Sequence, residues 1–328
     1  MEYRLEEIFD LQMGKTPSRN NPDYWNTTDN KWISIADLSK CGKYIENTKE
    51  YLSEQAVEES GISQIPANTV VMSFKLSIGK TAITPEPMYS NEAIMSFRDK
   101  MVVDILPDYI FYMFSGKDWD TGTNKAVMGK TLNKATLSKI KVNVPDMKYQ
   151  QKVVGVLDKV SRIIAARKSE LEKLDNLIKS RFIELFGDPV QNPYGWSTRP
   201  LLEMGYCKNG MNFHTGDNGV EMHCLGVGDF KDYAVIDGTN HLPIISLNEA
   251  PPEESMLQDG DIVFVRSNGN KALVGRCLVV YPHSTPTTYS GFCIRYRLTS
   301  DAVDTIYLLR VLKTDSMRDR KSTRLNPV

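Results

Sequence analysis

No stretch of the 328-residue chain carries 18 consecutive apolar residues, and the opening Met1-Glu2-Tyr3-Arg4-Leu5-Glu6-Glu7 is too charged for a secretory signal. Neither membrane insertion nor export has a signal, so a cytoplasmic location is expected. Cysteine is scarce: Cys41, Cys207, Cys224, Cys277 and Cys293 are odd in number and never spaced C-x-x-C. That argues against a disulfide framework or a zinc site and for reduced thiols serving as small core or loop residues. Histidine is scarcer still. His214, His223, His241 and His283 all lie in the second half without a recurring ligand spacing, so satisfied or surface histidines are expected and no bound metal. Net charge is nearly absent too, with 40 Lys+Arg against 41 Asp+Glu. A free-standing DNA-binding domain usually has a basic footprint. This chain either does not bind nucleic acid, or it concentrates basic faces locally and draws phosphate affinity from partner subunits.

Nucleotide loops are missing as well. Three Gly-Lys-Thr triplets begin at Gly14, Gly79 and Gly129, yet the glycine a phosphate loop needs five residues earlier is Phe9, Phe74 and Asn124. Asn192-Pro193-Tyr194-Gly195 half resembles the Asn-Pro-Pro-aromatic signature of adenine methyltransferases, but no Gly-rich cofactor loop accompanies it. A linker turn before Trp196 is the simpler reading, and no catalytic residue or cofactor-binding residue is assigned.

What the chain does have is a repeat of itself. Ile33-Ser34-Ile35-Ala36-Asp37-Leu38, Thr69-Val70-Val71-Met72, Ile78-Gly79-Lys80-Thr81-Ala82-Ile83 and Tyr89-Ser90 recur in order as Leu225-Gly226-Val227-Gly228-Asp229-Phe230, Asp261-Ile262-Val263-Phe264, Val274-Gly275-Arg276-Cys277-Leu278 and Tyr289-Ser290. The spacing is too long for a solenoid, so a duplicated whole domain is expected, its offset drifting through loop insertions. With 41% hydrophobic and 25% charged residues, the chain can bury two cores of ordinary size. Val70-Val71-Met72-Ser73-Phe74 and Ile262-Val263-Phe264-Val265 read as buried strands. Asp108 to Phe114 and Asp304 to Leu312 read as short core helices. The expected fold class is α+β, one mixed β-sheet domain with short helices used twice. Gly79 and Gly275 stand at matching positions and suit a tight backbone turn.

Between the repeats the pattern changes. From Met147 to Phe186 there is no proline and only one glycine, Gly155, with Pro145 ahead of the start and Gly187-Asp188-Pro189 as the stop. Val153, Leu157, Val160, Ile164, Leu171, Leu174, Ile178 and Leu185 recur at steps of three and four, with Arg167 and Arg181 in two seam slots. This heptad pattern predicts a rod of about 60 Å at ~1.5 Å per residue, with a seam that needs a partner. Nine Lys or Arg against five acids give the segment an excess of four positive charges. A solvated face accounts for that excess, as does a strip facing phosphate or another subunit.

The order Gly14-Lys15-Thr16-Pro17-Ser18, Trp32-Ile33-Ser34-Ile35-Ala36-Asp37, Ser77-Ile78-Gly79-Lys80, Leu132-Asn133, Ile140-Lys141-Val142-Asn143-Val144-Pro145, Tyr149-Gln150-Gln151-Lys152 and Phe186-Gly187-Asp188-Pro189 resembles the specificity subunit of type I restriction-modification systems. The resemblance covers almost the whole chain. It implies two target recognition domains on double-stranded DNA, each contacting one half of a split site, with long coiled-coil helices setting the spacing. It further implies a subunit without catalysis of its own. Two modification subunits using S-adenosylmethionine methylate adenine, and restriction subunits using ATP and Mg translocate and cleave. On this pattern residues 1–146 form the first domain, 147–187 the spacer helix, 188–195 a linker and 196–318 an incomplete second domain. The second repeat has no counterpart of Leu132 to Pro145 or of the long helix, and Asp319-Arg320-Lys321-Ser322-Thr323-Arg324-Leu325-Asn326 looks like a translated sequencing adapter. A C-terminal truncation with a non-native tail at 319–328 is therefore expected.

Base-reading candidates are polar or basic residues in loops at the domain mouths: Lys15, Thr16, Ser18, Arg19, Lys75 and Lys130 in the first repeat, and Asn209, Arg266, Ser267, Asn268, Asn270 and Lys271 in the second. Arginine suits guanine and asparagine suits adenine in the major groove. Each also reads as a solvated loop residue. The alternative function is a truncated or silent interaction protein that binds modification subunits through the Met147 to Phe186 helix without competent DNA recognition. DNA binding separates the two. An independent enzyme is the weakest reading, because no nucleophile, metal cluster or nucleotide loop is evident.

Overall fold

The structure, a computed structural model, describes every residue except 76, 120–123, 127, 128, 215, 232 and 325–328, together with all side chains outside those positions, 124–126, 129–131 and 320–324. The chain forms two compact units, Met1–Arg167 and Lys168–Val328. The helix Met147–Phe186 runs from the first into the second.

In the first unit, strands Phe9–Met13, Ile94–Asp99, Val70–Ser73 and Thr81–Ile83 make a four-stranded antiparallel sheet in that spatial order. A second sheet is ordered Glu50–Leu52, Asn30–Ile33, Tyr89–Ser90, its first pair antiparallel and its second parallel. The second unit repeats this arrangement strand for strand. Gly205–Asn209, Cys293–Leu298, Asp261–Val265 and Cys277–Tyr281 follow the same order, extended by Val235–Asp237. Ile244–Leu247, Val220–Leu225 and Thr287–Tyr289 form its three-stranded sheet with the same mixture of directions.

The duplication reaches single positions. Val70 lies opposite Phe97 and Ile83, and Ile262 lies opposite Tyr296 and Val279. Strand residues alternate between faces, so the apolar run Val70-Val71-Met72 feeds two cores. Val70 packs towards Phe114 of helix Pro107–Ser115, and Val71 packs with Ile33 and Leu38 on the other face. Ile262 likewise packs with Leu308 and Leu309 of helix Thr305–Lys313, and Val263 with Leu225 and Phe230. A continuous apolar run is what a strand covered on both faces requires, each such side chain contributing about 1.5–3 kcal/mol on burial. Asp37 and Asp229 close the same turn in each unit, accepting from the Ser34 N–H (2.9 Å) and the Gly226 N–H (2.8 Å).

Cys224, Cys277 and Cys293 are buried and none of the five cysteines is in a disulfide; burial pushes Cys224 and Cys293 up to about 12. After the long helix, Gly187 adopts φ +76° and the Asn192 side chain brackets Trp196, accepting from its N–H (2.9 Å) and donating to its carbonyl (2.8 Å). Asn192–Gly195 form a turn, closed by the Gly195 N–H donating to the Asn192 carbonyl (3.0 Å). Helix Asp315–Arg324 includes the first residues of the suspected tail. Among the described residues no helix is long and apolar enough to cross a membrane.

Candidate nucleic-acid interface

Antiparallel order brings three strand ends together at one end of each main sheet. In the first unit Met13 lies opposite Met95 and Ser73 opposite Ile94, so the segments leaving after Met13 and Ser73 flank the turn that leads into Ile94. The Phe74 N–H donates to the Ala93 carbonyl (3.0 Å) and the Lys15 N–H to the Ser90 carbonyl (2.8 Å). In the second unit Asn209 lies opposite Ile294 and Val265 opposite Cys293, with the Arg266 N–H donating to the Phe292 carbonyl (2.8 Å). Corresponding loops therefore emerge at corresponding places.

Two glycine pairs make this possible. A Cβ at Gly14 or Gly210 would press into the carbonyl oxygen of Ser90 or Ser290, so the strand can approach the turn only without a side chain. Gly79 and Gly275 have φ of +86° and +78°, and their N–H groups donate to the Ser73 and Val265 carbonyls (both 2.9 Å). The first two Gly-Lys-Thr triplets thus owe their glycines to backbone packing and turn geometry.

Three of the first-unit candidates, Thr16, Arg19 and Lys75, act on one carboxylate. The Thr16 hydroxyl donates to Glu92 and, with Lys75 and Arg19 nearby, holds that carboxyl below the usual range. Arg19 makes a two-pronged ion pair with Glu50 and stacks 3.7 Å from the centre of the Trp25 ring, while the Trp25 indole donates to the Ser18 carbonyl (3.0 Å). Lys15 Nζ donates to the Ser60 carbonyl, and Lys75 Nζ lies 5.3 Å from the Phe74 ring centre. Ser18 is exposed. The Lys130 side chain lies outside the described residues.

In the second unit Asn209, Arg266, Ser267, Asn268, Asn270 and Lys271 are all exposed. Asn268 Oδ1 accepts from the Asn270 N–H (2.8 Å) and Asn270 Oδ1 from the Ala272 N–H (3.0 Å). These Asx turns shape the loop and leave each Nδ2 as a donor. Among the described residues no carboxylate pairs with Arg266 or Lys271. Two residues at the centre of these ends escaped sequence reasoning, Glu92 and Phe292. Both lie in the turn that follows the repeated Tyr89-Ser90 and Tyr289-Ser290, which marks the turn only; the Phe74 and Arg266 N–H groups donate to the Ala93 and Phe292 carbonyls, so the backbone register sets Phe292 against Ala93.

The first unit also grips the start of the long helix. Gln150, fully buried, donates through Nε2 to the Asp104 and Pro145 carbonyls (2.9 Å each) and accepts through Oε1 from the Leu106 N–H (2.9 Å). Two turns later Asp158 receives Lys43 Nζ (2.7 Å) and the Tyr112 hydroxyl (2.6 Å). Partial burial pushes Asp158 up, but Lys43 and Tyr112 outweigh it and the carboxyl ends below its usual range.

A duplicated α+β protein with polar loops at matching sheet ends and a long connecting helix is the class that fold and site define. Residues 1–175 match the family described as the type I restriction modification DNA specificity domain, and the chain belongs to that family. It is similar to the type I restriction enzyme MjaIX specificity subunit of Methanocaldococcus jannaschii, 26% identical over 229 residues that cover 64% of this chain and 52% of that one. It is also similar to the EcoR124I/EcoR124II specificity subunit of Escherichia coli, 28% identical over 165 residues that cover 47% and 39%. The chain spans about half the length of these curated relatives, or less. A solved structure described as the structural basis underlying complex assembly and conformational transition of the type I R-M system shares the fold, with TM-score 0.50, 16% identity and coverage of 100% of this chain and 84% of that one.

Proposed function

We propose that this chain is the DNA sequence-recognition subunit of a type I restriction-modification complex, each unit reading one half of a bipartite site. The observation that carries the proposal is that both units send polar loops from the same end of the same strand order, around Lys15 and Lys75 in one and Asn209 and Arg266 in the other. Duplicated readers suit a split target, because each reads its own groove segment. The long helix docks the modification subunits, which bring S-adenosylmethionine. Restriction subunits bring ATP and Mg, and the complex works on double-stranded DNA in the cytoplasm. The chain alone neither methylates nor cleaves, and with a net charge of -1 its own DNA binding is weak and salt-sensitive.

The test is a domain exchange. With modification subunits present, replacing residues 1–146 by the equivalent domain of a relative is expected to change one half of the methylated motif and leave the other intact, as read by methylation-aware sequencing. A change in both halves, or a chain that binds modification subunits without directing methylation, would overturn the proposal.

A further inference from the structure

The turns at the centre of the two loop clusters are built alike and dressed differently. Asn91–Ile94 and Ser290–Cys293 are each closed by an N–H to carbonyl bond, from Ile94 to Asn91 (3.2 Å) and from Cys293 to Ser290 (2.8 Å). Their second central residue is Ala93 in the first unit, buried, and Phe292 in the second, 59% exposed. Phe292 is not a loose tip. Its N–H donates to Ser290 Oγ (3.3 Å) and its carbonyl accepts from the N–H groups of Arg266 (2.8 Å) and Ser267 (3.3 Å). The fold therefore fixes the backbone that presents this large apolar ring to water and forgoes the ring's burial. Polar residues flank it: Asn209 ends the adjoining strand on one side, and exposed Arg266 and Ser267 begin the loop on the other, while half-buried Met211 bonds to the turn through its backbone. A protein-docking face would be a contiguous apolar patch, whereas one ring among hydrogen-bonding and cationic groups matches the edge of a base pair flanked by phosphates.

We propose that Phe292 is a specificity-determining residue that contacts the 5-methyl group of a thymine in the half-site read by the second unit. The apolar contact suits that group, the one apolar feature of the major-groove edge. The first unit, with buried Ala93 at the equivalent position, makes no such contact in its half-site. This inference rests on the DNA-recognition reading and adds a residue and a base to it.

The test uses the full chain assembled with its modification subunits, and synthetic duplexes at low salt. Selection from random duplexes defines the bound site, and each thymine is then replaced singly by deoxyuridine, which removes only the methyl group. Wild type is expected to lose about fivefold or more in affinity at one thymine in one half-site. Phe292→Ala should bind the thymine and deoxyuridine duplexes equally, with an unchanged melting temperature because the ring is exposed. A selected site whose two halves show no methyl preference, or a Phe292→Ala chain that retains it, overturns the proposal while DNA recognition stands. Failure to select any sequence removes the recognition reading and this inference together.

Discussion

His283 is held from both sides. One ring nitrogen lies 2.7 Å from an Asp237 carboxylate oxygen and the other 3.3 Å from Asp259, whose other oxygen accepts from the His283 N–H (2.8 Å). The Asp237 hydrogen bond leads in raising the imidazole above its ordinary value, and Asp259 adds to it. A group whose folded value is raised stabilises the fold fully below its unfolded value, and the contribution is lost as pH rises through the folded value. His283→Gln is therefore expected to melt lower than wild type at about pH 5.5, with the gap closing towards about pH 9, since unfolded histidine titrates near ~6.5. Thermal melts at the two pH values check this, and an equal gap at both would rule out the charged form as the cause. At the candidate interface, residue types were legible in the sequence but their engagements were not. Arg19 suits guanine by type, yet Glu50, 31 residues further along the chain, and the nearby Trp25 ring hold its guanidinium.

Helix Met147–Phe186 follows its pattern closely, because helical periodicity is a local property of the chain. Its anchoring is not local. Gln150 looks like any polar residue of a first turn, yet its side chain is fully buried among three backbone partners from Asp104, Leu106 and Pro145. Gln150→Ala would leave these groups without their partner, so a loss of about 1–3 kcal/mol in the stability of the first unit is expected. Denaturant unfolding measures the loss, and hydrogen exchange should rise at Leu106. A conservative Gln150→Glu keeps only the acceptor and should recover part of the stability at most.

At the scale of the whole chain, the apolar seam of the helix is exposed. Ile164 and Leu171 are 63% and 65% accessible, with Val160, Leu174 and Ile178 also exposed and Leu157 half-buried. Such a stripe is a liability in water. Ile164→Lys combined with Leu171→Lys is expected to reduce concentration-dependent self-association in sedimentation experiments without changing the melting of either unit, and unchanged association would count against the seam as its source. The duplication, the α+β class and the long helix could all be read from the sequence, because each is written in a period: about 190 residues for the repeat, two for the strands and three to four for the helix. Strand order could not. That Val70 and Ile262 pair with partners 13 to 34 residues away in the chain depends on which sheet edges meet when two faces of one strand are buried at once. The same long-range packing decided the Gly14 and Gly210 contacts and placed Glu92 and Phe292 at the centre of the loop clusters. Periodicity is set by neighbours along the chain, whereas a site is set by the burial that brings distant residues side by side.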